Sequence, residues 1–174
     1  MDDAQSLQGE GFDQILDVEL PEGEAHKPAH TAHVVTCGRW SLAFGIRWIN
    51  VLIDEFELVA IPGAAPWLVG AVNVEGAIVP VADLAAYFEP GLAPQAITRH
   101  HRLMLGGRRE NSNEDAVALL FSGLPTQIEY DTQPLDPSQE LPERLRELCS
   151  GTVGGASFEI KTDELLSALS ISLM

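Results

Sequence analysis

Basic side chains are scarce in this chain. Ten Lys and Arg stand against 26 Asp and Glu over 174 residues, a formal net charge of −16. A surface of that sign repels phosphate backbones and anionic lipid, which speaks against nucleic-acid and anionic-membrane binding and fits solubility or a basic partner. Cysteine is nearly absent: Cys37 and Cys149 lie far apart and match no zinc or redox spacing. They are expected as plain buried thiols in a reducing compartment. No apolar run approaches a membrane span, and the opening Met1-Asp2-Asp3 lacks the basic and apolar regions of a secretory signal. A cytoplasmic protein without membrane insertion is expected.

Catalytic signatures are missing too. No P-loop, dinucleotide fingerprint or nucleophile elbow occurs; Ser122-Gly123 lacks the preceding glycine an elbow needs. His26, His30 and His33 form an H-x3-H-x2-H run. Pro28 interrupts the first pair and the third histidine enters a strand, so a solvated linker is expected rather than a metal site. His100-His101 reads as a strand-edge pair, because no nucleophile motif accompanies it. No enzyme activity, metal or cofactor is expected.

What is present is a packable interior, 45% hydrophobic, punctuated by 15 glycines and 11 prolines. The most informative stretch is Pro66 to Phe88, PWLVGAVNVEGAIVPVADLAAYF. Apolar, mostly β-branched residues fill two arms around Glu75-Gly76, where a two-residue loop fits. Gly70 and Gly76 allow a close backbone crossing or a positive φ. Pro80 lacks a donor, so its strand is an edge or a bulge there. Asp83 stands where an N-cap belongs, and Leu84 to Phe88 make one or two helical turns before Pro90-Gly91 stops them.

Around this stretch the pattern predicts small β units. Residues 1–32 form an acidic, disordered arm with one apolar island at Phe12, Ile15, Leu16 and Val18. Val34–Cys37 and Trp40–Gly45 make a hairpin; Ile46–Leu52 reads as a short helical or irregular bridge. Glu55–Ile61 alternates as a strand, with Phe56, Leu58 and Ala60 on one side and Glu55, Glu57 and Val59 on the other. Arg102–Leu105 and Asp115–Phe121 flank a long polar hairpin loop. Thr126–Tyr130 adds a strand, Pro134–Pro142 a connection and Glu143–Leu148 a helix. Thr152-Val153 against Ser157–Ile160 gives a last hairpin before a terminal helix with Leu165, Leu166 and Leu169 on one face. GTVGGASFEIKTDELLSAL thus echoes GAVNVEGAIVPVADLAAYF, which fits two small β lobes better than one sheet.

The central stretch resembles the signature of the CheW-like domain, the adaptor module of bacterial chemosensory systems. Pro66, Gly70, Asn73, Val74, Gly76, Pro80, Asp83 and Leu84 match in register, while Glu75 stands where the family has arginine. The resemblance implies a mainly β fold of two five-stranded, SH3-like barrel lobes with short helices over about residues 33–172. Lobe one would run from about 38 to 95 and lobe two from about 96 to 160. It also implies a non-enzymatic scaffold that couples a chemoreceptor's cytoplasmic tip, or a substitute for it, to the regulatory domain of a CheA-like histidine kinase in a two-component pathway. Val72, Asn73, Glu75 and Ile78 are then the protein-binding positions, with Gly70, Gly76, Pro80 and Asp83 structural. The contrasting expectation is a small β-barrel protein holding a small molecule between its lobes. A carboxylate carries the opposite charge and only acceptors, so Glu75 is either a charge swap that repels whatever the family's arginine attracts or an exposed turn residue without a binding role.

Overall fold

The computed structural model describes residues 30–93, 95–107 and 116–173, with side chains through residue 170. Residues 1–29 of the acidic arm, His26 among them, and the tip of the polar loop at 108–115 lie outside the described residues, whereas the arm's last residues, His30–Ala32, are paired in β1 and not disordered. Among the described residues nine strands and three helices follow the order β1 (His30–Cys37), β2 (Trp40–Gly45), β3 (Ile49–Ile53), β4 (Leu68–Val74), β5 (Ala77–Ala82), α1 (Leu84–Phe88), β6 (His101–Gly106), β7 (Val117–Tyr130), α2 (Glu143–Leu148), β8 (Cys149–Val153), β9 (Ser157–Ile160) and α3 (Thr162–Leu173).

All nine strands join one hydrogen-bonded sheet along the path β3-β6-β7-β1-β2-β9-β8, with the β4–β5 hairpin attached through β5 to β7. The path does not return on itself, so the fold is mainly β as expected, but its strands form one open sheet rather than two closed barrel lobes. The fourteen-residue β7 is its spine. Its first part pairs with β6, Val117 opposite Gly106 and Ser122 opposite His101, and takes β5 in parallel at Ala118 and Leu119. Its second part pairs with β1 from Thr126 to Tyr130. Five strands therefore gather around the start of β7 (β3, β4, β5, β6 and β7 itself), and five around its end (β1, β2, β8, β9 and β7).

The two hairpins that echo each other in sequence do so in space. β4–β5 and β8–β9 are antiparallel pairs whose second strand joins the sheet by a parallel pairing, β5 on β7 and β9 on β2, and each is followed by a helix.

Period-two alternation explains why several strands read as unbroken apolar runs. In β7, Val117, Leu119 and Phe121 enter the large core beneath the helices, while Ala118 and Leu120 enter a second cluster with Val72, Val79, Val81, Leu103 and Leu105. Strands covered on both faces need no polar side. Leu145, Leu165 and Leu169, from α2 and α3, are at most 1% exposed and complete the large core.

Three sequence expectations need correction. Ile46–Leu52 is not a helical bridge: the chain turns after Gly45 and enters β3, which pairs with β6. Apolar spacing over so few residues fits either period, and β-branched Ile49, Val51 and Ile53 favour the strand. Glu55–Ile61 keeps its alternation but pairs only once, Val59 with Ala71. The register of β4 slips at Leu68/Gly70, and a bulge disrupts a ladder locally. Thr126–Tyr130 is no separate strand but the continuation of β7. Ser122 faces Thr36 and Thr126 faces Val34, so Gly123 to Pro125 oppose Val35 alone. The breaker residues make a bulge rather than a loop, and Pro125 forfeits no regular ladder bond.

Candidate protein-docking face

The β4–β5 hairpin turns at Glu75 and Gly76, with φ of +52° and +90°. Two successive positive φ values suit the twist of the flanking strands, and the second falls on glycine, where it costs least. Glu75 is the non-glycine residue with positive φ among the described residues. Asn73 steadies the turn: its Oδ1 accepts the Gly76 N–H at 2.8 Å. Gly70 serves close approach, because a Cβ there would lie 2.5 Å from the Val59 carbonyl oxygen.

A two-residue loop makes Val74 and Ala77 a hydrogen-bonded pair, so alternation leaves Ala71–Pro80 a non-hydrogen-bonded pair. The nitrogen of Pro80 therefore points away from β4, where β5 meets β7 only from Val81 onward. Past the hairpin, Asp83, 5% exposed, is the buried carboxyl side chain among the described residues. Its Oδ1 accepts the N–H groups of Ala85 at 2.9 Å and Ala86 at 3.3 Å, capping α1 as expected.

The same pleat gives the hairpin two faces. Val72, Val74, Ala77 and Val79 point into the second core cluster, joined by Phe56 and Leu58 of the preceding segment. Ala71, Asn73 and Ile78 point outward, beside Glu57, Val59 and Ile61. A sheet face turned to water is normally polar, yet Val59 is 64% exposed, Ile78 71% and Ile61 40%. Together Glu57, Val59, Ile61, Ala71, Val72, Asn73 and Ile78 line an open groove of about 640 Å³.

Of the four positions singled out in the sequence, three meet in this groove. Asn73 and Ile78 are direct cross-strand partners, and Val72, whose side chain is 2% exposed, lies between them and the interior. Glu75 stands apart at the exposed hairpin tip. Sequence reasoning did not single out Val59 and Ile61. Val59, an aliphatic residue on the otherwise acidic side of an alternating segment, was the available signal.

Other polar clusters serve the fold. Glu159 is held by three hydroxyls: Tyr130 donates to Oε1 at 2.6 Å, while Thr132 and Ser150 donate to Oε2 at 2.7 and 2.6 Å. Burial pushes this carboxyl up, but the hydrogen bonds outweigh it and leave it below the usual range. Burial, then the bond to Glu159 and its charge, push the Tyr130 hydroxyl up in turn. Glu89 bridges Arg39 and the Trp40 indole nitrogen, the latter at 3.0 Å. Cys37 and Cys149 are free and buried, with burial raising both thiols out of the reactive range. His30 and His33 lie in β1, and the Nδ1 of His101 accepts the Thr98 N–H at 3.0 Å. Among the described residues no three His, Cys, Asp or Glu side chains gather as metal ligands, and no helix is long and apolar enough to cross a membrane.

Comparison with known proteins agrees with this architecture. The family model of the CheW-like domain matches residues 32–156. No curated protein matches the sequence. Among solved structures the chain is similar to the crystal structure of the scaffolding protein TtCheW from Thermoanaerobacter tengcongensis, with a TM-score of 0.61 and 16% sequence identity, covering 77% of this chain and 89% of that one.

Proposed function

This chain belongs to the CheW-like domain family, whose members are non-enzymatic scaffolds of chemosensory signal transduction, and on that premise we propose that it couples receptor to kinase through the outer face of its central hairpin. The partners in this reading are a chemoreceptor's cytoplasmic tip, or a substitute for it, and the regulatory domain of a CheA-like histidine kinase, all on the cytoplasmic side of the membrane.

The observation that carries the reading is Ile78, 71% exposed beside Val59 at 64% on a strand face that solvent alone would make polar. Contiguous exposed aliphatic surface with a polar margin marks protein interaction sites. The inner face of the same hairpin is packed, so the outer side chains can be changed without opening the core.

Co-purification with kinase regulatory-domain and receptor-tip fragments tests the proposal. The wild-type chain should capture at least one of them, and Ile78→Asp should abolish capture with the melting temperature unchanged. Equal capture by both would overturn the proposal. A melting-temperature rise with small metabolites, without capture of either fragment, would instead favour a ligand-binding protein.

A further inference from the structure

The docking face is apolar at its centre and acidic at its margin. Glu57 is the one charged side chain among the described residues lining the groove, and Glu75 stands at the hairpin tip two residues beyond Asn73. Both are exposed, and neither makes a hydrogen bond or ion pair with another described residue. The ion pairs Arg102–Asp54 at 2.7 Å, Lys161–Glu164 at 3.4 Å and Arg39–Glu89 involve other carboxylates. Asn73 spends its Oδ1 on the Gly76 N–H, which leaves its two amide hydrogens to offer outward.

These features constrain what can be seated there. Covering an aliphatic patch strips water from the carboxylates at its edge, and that cost is recovered only if the arriving surface supplies donors and positive charge. The apolar and carboxylate groups of this face are side chains, so they are what an arriving surface meets there.

Resting on the reading of this face as the docking surface, we propose that its partner is a protein surface presenting lysine or arginine beside an aliphatic ridge. The cations meet Glu75 and Glu57, the ridge covers Val59 and Ile78, and a carbonyl or carboxamide oxygen accepts from Asn73. The net charge of −16 adds long-range attraction for such a surface and speeds its encounter.

Binding of kinase regulatory-domain and receptor-tip fragments, measured at low and high ionic strength, tests this. The double variant Glu57→Gln/Glu75→Gln should bind about tenfold more weakly than wild type at low salt and show a shallower salt dependence. Ile78→Asp should lose binding at every salt concentration. Double-variant binding as tight as wild type, with Ile78→Asp still defective, would overturn the basic partner while leaving the docking face standing. Wild-type binding that tightens with salt would also overturn it. Ile78→Asp binding like wild type, or capture of neither fragment by wild type, would bring down the docking face itself.

Discussion

The two five-strand groups that meet on β7 are held by different physics. The group at its start encloses Val72, Val79, Val81, Leu103, Leu105, Ala118 and Leu120, an aliphatic interior without a polar member. The strands at its end give one face to the large core through residues such as Val35, Leu42, Phe44 and Phe158; on the other they form a small cluster of Ala32, Ala43, Tyr130 and Val153, supplemented by the hydroxyl cage around Glu159. Directional polar bonds thus supplement burial where apolar volume is small. Where apolar volume is ample, the outer surface is released from structural duty, and there lies the exposed face of Val59, Asn73 and Ile78.

The contrast can be broken most forcefully from within. Leu103→Ala, at a fully buried position of the first group, should cost about 3 kcal/mol in chemical denaturation by removing buried methyl groups and leaving a cavity. A loss below about 1 kcal/mol would show that the aliphatic interior is not what holds that group.

A smaller effect is expected at Glu159. Glu159→Gln should cost about 1 kcal/mol near neutral pH, since the hydroxyls keep partners but lose a charged acceptor. Because the folded carboxyl titrates below its unfolded value, its contribution is complete above the unfolded carboxylate range. It disappears as pH falls through the folded value. Wild type should therefore lose more stability on acidification than Glu159→Gln does, and parallel stability–pH curves would remove the cage from the account.

The smallest effect is expected at the hairpin tip. Glu75→Gly should stabilise the chain by about 0.5 kcal/mol, as relief of the left-handed conformation slightly exceeds the entropy cost of glycine. A destabilisation would mean that Glu75 supports the fold rather than the surface.

Much of the central hairpin was legible because its determinants are local. Glycine at Gly76, a two-residue loop and the Asp83 cap each act within a few residues of chain, and they appear as expected. The burial of Cys37 and Cys149 followed from the absence of any metal or redox spacing, and the echo between the two hairpins from their like residue patterns. Ile49–Ile53 was misread because five residues carry too little period to separate helix from strand, and its pairing partner β6 lies far along the chain. Thr126–Tyr130 was read as a strand of its own because Gly123 and Pro125 usually end strands; only pairing with β1, where Gly123 to Pro125 bulge opposite Val35, lets β7 run through them. The groove was half visible: Val72, Asn73 and Ile78 came from one contiguous stretch, whereas Glu57, Val59 and Ile61 reach it through the single backbone bridge at Ala71.

Alternation, turn chemistry and capping, all encoded over a few neighbouring residues, determined that this chain makes short strands with a tight hairpin and helical caps, and which side of each strand is apolar. Which strands lie side by side, that β7 serves both groups, and that an aliphatic face stays uncovered were decided only in three dimensions. Pairing between distant segments depends on mutual packing and on the closure of long loops, and neither is written in any one stretch of sequence.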